Sequence, residues 1–296
     1  MNSFEKKHTG LLSSLDLKSG RVQLGYWIMF AILVMMSAVC IFPPFWIFVS
    51  SFKDIKEFLS VPPTIIPQSF HPEKLPKVWG KLNFQRYYLN SLYSTLGVWF
   101  FSITVNGLTG YVLSRLKPRG SRFVFTLILW TLMLPTSISL VPLFKTFIDF
   151  TFLHINLTNT YLPMWFIAGA NAFNVLLFKS FFDSIPITYL EAARIDGCGS
   201  FGIFFKIIVP LSMPILMVVS IFSITGAWED FFWPYMVLKN PQMYTVAVAI
   251  YQINRSVIQI DEYMIVLFLS IIPPAVVFML FQKQIMSGIS VGGIKG

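Results

Sequence analysis

Two pairs of neighbouring carboxylates, Glu229–Asp230 and Asp261–Glu262, are the only candidates for acid–base catalysis in this sequence. An enzyme that acts on lipid-linked sugar at the membrane face would need such a pair to act as general acid and general base. Adjacent residues on a helix point in different directions, however, so neither pair presents both carboxyl groups to one substrate. The sequence therefore predicts no catalytic residue, and a polytopic membrane enzyme remains only a weak alternative.

Metal ligation and nucleotide binding are poorly supported as well. His8, His71 and His154 fall in three separate polar regions, and neither Cys40 nor Cys198 stands at zinc-site spacing from them. The sequence contains no phosphate-binding loop of the form G-x-x-x-x-G-K-[ST]. We expect no metal site, no disulfide framework and no cofactor bound by this chain.

The composition indicates a membrane protein. Of 296 residues, 55% are hydrophobic and 12% are charged, and the mean hydropathy is +0.70; soluble domains carry about 25% charged residues. The net charge of +9 is the excess that Lys and Arg retained on the cytoplasmic side would produce, so it does not predict nucleic-acid binding.

Six uncharged runs are each long enough to cross about 30 Å of hydrocarbon, which predicts an all-α membrane protein with six transmembrane helices. The predicted spans are residues 26–50, 90–114, 123–144, 161–178, 207–228 and 263–282, within a six-span domain 26–282. The first run does not end in small residues, so we expect an uncleaved span. Polar segments 1–25 and 283–296 flank the domain.

The distribution of basic residues predicts that both termini are cytoplasmic. In that orientation the short loop 115–122, which holds Arg115, Lys117, Arg119 and Arg122, lies inside, as the positive-inside rule requires. The first external loop, residues 53–86, has a basic excess that runs against the rule. That excess would suit an anionic substrate or an acidic partner, and a solvated loop explains it equally well.

Polar residues inside the predicted spans are uncharged. The most polar buried candidates are Asn106, Asn171 and Asn174. Ion-coupled transporters usually keep an ionisable residue at membrane depth. The pattern therefore argues against a self-sufficient secondary transporter.

A polar segment, residues 183–206, separates the fourth and fifth spans and contains Glu-Ala-Ala-Arg-Ile-Asp-Gly at 191–197. Thr188 and Glu191 have the spacing of a capping box, and Gly197 supplies the left-handed residue that commonly ends a helix. Because a helix of about two turns is too short to be stable alone in water, we expect it to dock onto a partner.

This segment resembles the EAA loop of binding-protein-dependent ABC importers, since Glu-Ala-Ala and its glycine are followed nine residues later by Ile-Ile-Val-Pro at 207–210. Val209 replaces the usual leucine. Segments 50–53, 90–91, 228–234 and 288–296 look like the carbohydrate branch of these importers, whose permeases are similar to the maltose-type six-span subunit. The resemblance implies the type I ABC importer permease fold and a non-enzymatic subunit.

The resemblance also implies partners and a location. The chain would lie in a prokaryotic cytoplasmic membrane, beside a second homologous permease and membrane lipid. ATPase subunits would bind ATP and Mg, and an extracytoplasmic solute-binding protein would deliver a mono- or oligosaccharide. Acidic saccharides, polyols or glycerol phosphate are the alternative substrates in the same importer class.

Three groups of residues follow as candidate sites. Small residues Ala192 and Ala193 would let a surface of the ATPase approach closely, and the whole coupling set is Glu191, Ala192, Ala193, Asp196 and Gly197. The tail would contact the ATPase pair through Gly292, Gly293 and Lys295, with a disordered end as the alternative.

The substrate path or the binding-protein contact would involve Asn106, Asn174, Trp228, Glu229, Asp230 and Trp233. Aromatic rings stack on sugars, but tryptophans near a span end also form the ordinary interfacial belt of a membrane protein. Both roles are open for Trp228 and Trp233.

Overall fold

The computed structural model describes residues 20–150, 154–253 and 258–292. The helices are α1 (Gly20–Ser50), α2 (Ile55–Phe58), α3 (Lys74–Lys81), α4 (Phe84–Tyr111), α5 (Ser121–Met133), α6 (Thr136–Ile148), α7 (Leu162–Gly169), α8 (Ala172–Ser184), α9 (Ile187–Ile195), α10 (Ser200–Ile203), α11 (Val209–Leu211), α12 (Met213–Glu229), α13 (Phe232–Val237), α14 (Val246–Gln252) and α15 (Ile260–Gly292). Short π-helical turns follow α4 and α10, at Val112–Leu116 and Phe204–Ile208. The predicted all-α class is confirmed.

Among the described residues, three helices are individually long and apolar enough to cross a membrane: Val22–Ser50, Phe84–Leu116 and Ile260–Gln282. They contain the first, second and sixth predicted spans. The third, fourth and fifth predicted spans each occur as two helices with a bend between them, and counting each bent pair as one span gives up to six.

The bends are sharp and two of them follow from proline. The angle is 110° between α5 and α6, 41° between α7 and α8, and 76° between the segment Ser200–Leu211 and α12. Leu134 is extended, with ψ 129°, because the ring of Pro135 disfavours the helical conformation in the residue before it. Pro214 lies in the first turn of α12. The new helix begins there because a proline in the first turn has no helical hydrogen bond to lose.

The chain divides into two compact units, and the first comprises residues up to Pro72 together with Ile260–Phe268. Aromatic side chains form its contacts. The ring of Phe48 lies 5.2 Å from that of Phe268, and the ring of Phe52 stacks on that of Phe70 at 4.5 Å.

The loop after α1 is folded around two charged side chains. The carboxylate of Glu57 accepts hydrogen bonds from the Thr64 hydroxyl at 2.8 Å and the Gln68 N–H at 2.7 Å. Burial acts to raise the pKa of Glu57, but these hydrogen bonds outweigh it, so the pKa lies below its ordinary value. Lys53 is buried, with Nζ 4.5 Å from the Trp46 ring centre. The basic excess of this loop is therefore not entirely solvated.

Helix α4 is the central element of the second unit, where it packs against α7, α8 and α12. The Trp165 indole N–H donates to the Ser94 carbonyl at 3.1 Å, and the Trp99 indole N–H donates to the Ser220 hydroxyl at 2.9 Å. Gly110 allows a close approach of α8, because a Cβ there would lie 2.7 Å from Cβ of Phe178. Hydrogen bonds and a missing side chain thus fix α4 against three neighbours.

The N-terminal end of α4 holds the segment that precedes α14. The Asn90 amide donates to the carbonyl oxygens of Gln242 at 2.9 Å and Tyr244 at 3.0 Å. The Ser91 hydroxyl accepts from the Val246 N–H at 2.8 Å. Asn90 and Ser91, which form part of the family resemblance, therefore hold the loop before α14 in place by hydrogen bonds.

We predict that Gly110→Ala destabilises the permease by about 1–3 kcal/mol, because the added methyl group overlaps Phe178 and forces α4 and α8 apart. The midpoint of thermal denaturation in detergent measures the effect. Gly107→Ala is the matched control on the same helix, since its Cβ would meet Phe178 at an ordinary 3.9 Å. Equal midpoints for the two variants would contradict this account of the packing.

Candidate functional site

Helix α9 forms within the predicted coupling segment, but its start differs from the prediction. The residue that precedes it is Pro186, which makes no side-chain cap, and the helix begins at Ile187. Thr188 is therefore already inside the first turn and cannot serve as the N-cap. The predicted capping box between Thr188 and Glu191 is wrong, because the helix begins two residues too early for Thr188 to be its N-cap.

The end of α9 matches the prediction. Gly197 has φ +80°, the left-handed conformation expected of it. Its N–H donates to the Arg194 carbonyl at 3.0 Å, and the Cys198 N–H donates to the Ala193 carbonyl at 2.9 Å. These two bonds form a Schellman motif, which satisfies carbonyl groups at the helix end.

The two faces of α9 have different surroundings. Leu190 and Ala193 are buried in a cluster with Tyr111, Phe182 and Phe204, whereas Glu191, Ala192, Asp196 and Gly197 are exposed. The expectation that both alanines offer a small docking face is corrected here. Ala193 packs against the chain's own core, and only Ala192 is available to another subunit.

Residues just after the C-terminal end of α4 hold the junction between α8 and α9. The Arg115 guanidinium donates to the carbonyl oxygens of Phe182 and Ile185. The Ser114 hydroxyl donates to the Asp183 carboxylate at 2.6 Å, and Nζ of Lys179 donates to the same carboxylate at 2.6 Å. From the sequence, Arg115 counted only as a topological charge, since nothing near it in the chain indicates these partners.

A cavity of about 760 Å³ lies among α4, α7, α8, α12 and α13. Four of the predicted path residues line it: Asn174, Glu229, Asp230 and Trp233. Further lining residues, which the sequence did not single out, include Ser102, Phe173, Phe222, Ser223, Phe231 and Phe232. The cavity thus combines a few polar groups with several aromatic faces.

Asn106 is fully buried and does not line this cavity. Its amide N–H groups donate to the carbonyl oxygens of Ser102 and Ala168, each at 2.8 Å. Its side-chain oxygen accepts from the Asn171 N–H at 3.1 Å. Asn106 therefore satisfies one backbone group on each side of the break between α7 and α8. This structural role replaces the contact with substrate that the sequence predicted.

A chain of polar contacts joins three helices at the cavity wall. The Asn174 amide donates to the Ser102 hydroxyl at 3.0 Å, and the Ser223 hydroxyl donates to the same oxygen at 2.8 Å. Asn171 caps α8 by accepting from the Asn174 N–H at 3.0 Å. These groups present hydroxyl and amide functions to the cavity at positions fixed by α4, α8 and α12.

Asp230 and Trp233 lie where α12 ends and α13 begins. The Asp230 carboxylate accepts from the Trp233 N–H at 3.3 Å. Burial raises the pKa of Asp230 above its ordinary value, and backbone hydrogen bonds oppose that rise only in part. The Trp233 ring packs edge-on against Phe147 at 5.8 Å.

Trp228 faces away from the cavity. Its ring is buried, its indole N–H donates to the Ser270 carbonyl at 3.1 Å, and it lies 5.3 Å from the Tyr88 ring. Trp228 therefore does not line this cavity, and the two roles that the sequence left open, the interfacial belt and the sugar path, stay predictions. The indole N–H explains the burial, because a neighbouring carbonyl satisfies it inside the protein.

The predicted tail contacts fall at the edge of the described chain. Gly292 is the last residue of α15. Gly293 and Lys295 lie outside the described residues.

Residues 106–291 match the family model described as "Binding-protein-dependent transport system inner membrane component". The chain belongs to this family. It is therefore a multi-pass membrane permease and a transport subunit rather than an enzyme, as the sequence predicted.

Relatives of this permease cover nearly its whole length. It is 31% identical over 272 residues to the galactooligosaccharides transport system permease protein GanQ of Bacillus subtilis, an alignment that covers 90% of this chain and 94% of GanQ. It is 28% identical to the sn-glycerol-3-phosphate transport system permease protein UgpE of Yersinia pestis, over 84% of this chain and 90% of UgpE.

A solved structure shares the fold. The crystal structure of a bacterial ABC transporter involved in the import of the acidic polysaccharide alginate contains a chain that superimposes with a TM-score of 0.79 and 22% identity. The match covers 90% of this permease and 98% of that chain. The ABC importer permease fold expected from the EAA segment is confirmed.

We predict that Asn106→Leu lowers the stability of the permease by about 1–3 kcal/mol, because the Ala168 carbonyl and the Asn171 N–H lose their buried partner. The midpoint of thermal denaturation in detergent measures this loss. Thr109→Val on the exposed face of the same helix is the control, since its hydroxyl only bonds back to Val105. An unchanged midpoint for Asn106→Leu would contradict the proposed role of the amide.

Proposed function

We propose that this permease is the transmembrane subunit of an ATP-driven importer of a neutral mono- or oligosaccharide. A solute-binding protein delivers the sugar from outside, and α9 couples the permease to an ATPase subunit inside. The observation that carries the proposal is the position of α4, which contacts the coupling segment at one end and lines the cavity further along the same helix.

The cavity has the chemistry of a sugar path. Its volume falls within the range of about 300–1,000 Å³ typical of small-molecule sites. The Asn174 amide and the Ser223 hydroxyl are able to exchange hydrogen bonds with sugar hydroxyl groups, and Phe173, Phe222 and Trp233 offer flat apolar faces. A saccharide has both polar and apolar surface, so one sugar ring uses both the hydrogen-bonding groups and the aromatic faces of the cavity.

The charge of the cavity favours a neutral substrate over an anionic one. Glu229 and Asp230 line it, and none of its lining residues, all of which the structure describes, is Lys or Arg. An acidic saccharide or a glycerol phosphate would meet two carboxyl groups without a compensating cation. The galactooligosaccharide function in the name of GanQ agrees with the neutral class.

Coupling passes through the exposed face of α9. Glu191 and Ala192 face outward, and the Schellman motif at Gly197 fixes where the helix ends. On the opposite face, Leu190 and Ala193 are buried in the permease. A force applied to α9 by the ATPase is therefore transmitted to the permease core and is not absorbed by a loose loop.

Transmission continues along α4. Tyr111 packs against Phe204 at 4.8 Å, and Arg115 holds the carbonyl groups at the end of α8. Ser102 lies nine residues before Tyr111 on the same helix, about 14 Å along its axis. ATP changes the cavity only through contacts that differ between two states, and the exposed face of α9 is where such contacts would form.

The full assembly contains two ATPase subunits that bind ATP and Mg, a second homologous permease and the solute-binding protein. Both termini lie on the cytoplasmic side, and the predicted tail residues Gly292, Gly293 and Lys295 contact the ATPase pair. The family description as a component of binding-protein-dependent transport supports this arrangement.

We predict that Ala192→Phe and Glu191→Lys leave the permease folded but reduce its co-purification with the ATPase at least fivefold, because both side chains lie on the exposed face of α9. Ala193→Phe is the matched contrast. It adds the same ring one residue away, inside the permease core, and is expected to lower the denaturation midpoint instead. Normal ATPase binding and ATP-driven uptake by both Ala192→Phe and Glu191→Lys would contradict coupling through α9.

For the substrate path, we predict that Asn174→Leu and Phe222→Ala each lower saccharide uptake by the assembled importer at least fivefold, through lost contacts in the cavity. Uptake of a labelled saccharide into proteoliposomes measures this, with assembly checked by co-purification. Thr104→Val is the control, because its hydroxyl is exposed and bonds only to Phe100. Wild-type uptake by both cavity variants would place the path elsewhere.

A further inference from the structure

A second cavity, of about 700 Å³, lies where α4, α5 and α8 meet at the loop 115–122. Its cationic lining residues are Lys117, Arg122 and Lys179, and Ser121 and Thr126 add hydroxyl groups. None of the residues that line it, all of them described, is acidic. Nothing in the saccharide path or in the coupling helix makes use of this cavity.

We propose that this cavity binds the anionic headgroup of a membrane phospholipid. The positive charge and the hydroxyl donors match a phosphate group, and basic pockets between helices on the cytoplasmic side are suited to acidic headgroups. The proposal concerns a ligand other than the transported sugar and stands whether or not the substrate assignment is correct.

The backbone holds the basic residues in place. Lys117 has φ +44° and donates its N–H to the Val112 carbonyl at 2.9 Å. Gly120 has φ +85°, and the Ser121 N–H donates to the Pro118 carbonyl at 3.0 Å. The loop is therefore a defined turn, and its cations are presented from fixed positions.

The cations exceed the nearby acidic charge, because the one carboxylate of Asp183 pairs with Lys179 and also interacts electrostatically with Lys117. Nζ of Lys179 is paired with the Asp183 carboxylate at 2.6 Å and lies 4.7 Å from the Phe125 ring centre. Lys117 and Arg122 are exposed, and they supply the net positive charge of the cavity. We expect these two side chains to contribute most of the affinity for a phosphate group.

The apolar part of the surroundings favours a lipid over free phosphate. Leu113, Pro118 and Phe125 line the cavity beside the cations. Directly beyond it, α5 exposes Phe123 and Trp130 by 67% and 60%. Acyl chains lie along such a helix in a bilayer while their headgroup occupies the basic cavity, whereas a free phosphate gains nothing from the apolar surface.

The test compares binding of phosphatidylglycerol, phosphatidylcholine and inorganic phosphate to the purified full-length permease in detergent. Native mass spectrometry counts bound lipid, and the shift in denaturation midpoint measures its effect. We expect phosphatidylglycerol to bind at least tenfold more tightly than phosphatidylcholine, and the double variant Lys117→Gln with Arg122→Gln to lose this preference.

Arg119→Gln is the matched control, because Arg119 belongs to the same loop but does not line the cavity. Arg119→Gln should retain the preference for phosphatidylglycerol. Arg122→Lys, which keeps the positive charge that Arg122→Gln removes, should retain most of it. Equal binding of the two lipids, an equal loss in Arg119→Gln, or displacement of phosphatidylglycerol by equimolar inorganic phosphate would each overturn the proposal. Equal midpoints of all variants in phosphatidylcholine show that the fold is intact.

Discussion

A helix that breaks inside a bilayer leaves backbone N–H and C=O groups without partners, and hydrocarbon supplies none. The described residues contain three sharply bent helix pairs, so the constraint applies repeatedly. At the break between α7 and α8 it is met by two side chains, because Asn106 pairs with the Ala168 carbonyl and the Asn171 N–H, and the Asn171 side chain accepts from the Asn174 N–H. The bend that shapes the wall of the cavity therefore depends on a buried amide that never reaches the cavity.

Helix α4 connects three parts of the second unit. Its N-terminal end holds the segment before α14, its middle lines the cavity, and Arg115, which follows its C-terminal end, holds the junction of α8 and α9. The absence of a side chain at Gly110 lets α8 lie against it at close range. In the proposed mechanism, these contacts transmit a displacement of α9 along α4.

The sequence predicted the fold class, the left-handed residue at the end of α9 and three of the cavity residues near residue 230, namely Glu229, Asp230 and Trp233. These features depend on local patterns: hydrophobic length, a glycine at a fixed distance and a cluster of aromatic and acidic residues. The bends were not predicted, since a run of apolar residues has the same composition whether it is straight or broken. The capping box failed because Pro186 starts the helix earlier than Thr188 would.

The longest-range interactions were beyond any local pattern. Arg115 lies about seventy residues from the carbonyl groups it holds, and Asn106 is similarly distant from the break it satisfies. Trp228 was assigned from its neighbours in the sequence, although its indole N–H is satisfied by a carbonyl on another helix. For each of these residues the decisive partner becomes visible only when the helices are packed.

The opposite orientations of Ala192 and Ala193 have a consequence for how importers diversify. Ala193 is constrained by the permease core that surrounds it. In the proposed assembly, the exposed residues Ala192 and Glu191 are instead constrained by the surface of the ATPase, which a different gene encodes. A permease with a new saccharide path can therefore keep an existing ATPase as long as the outward face of α9 is unchanged. One ATPase can then serve several permeases. The residues on the inward face of α9 would differ among these permeases, because they need to fit only the core of their own chain.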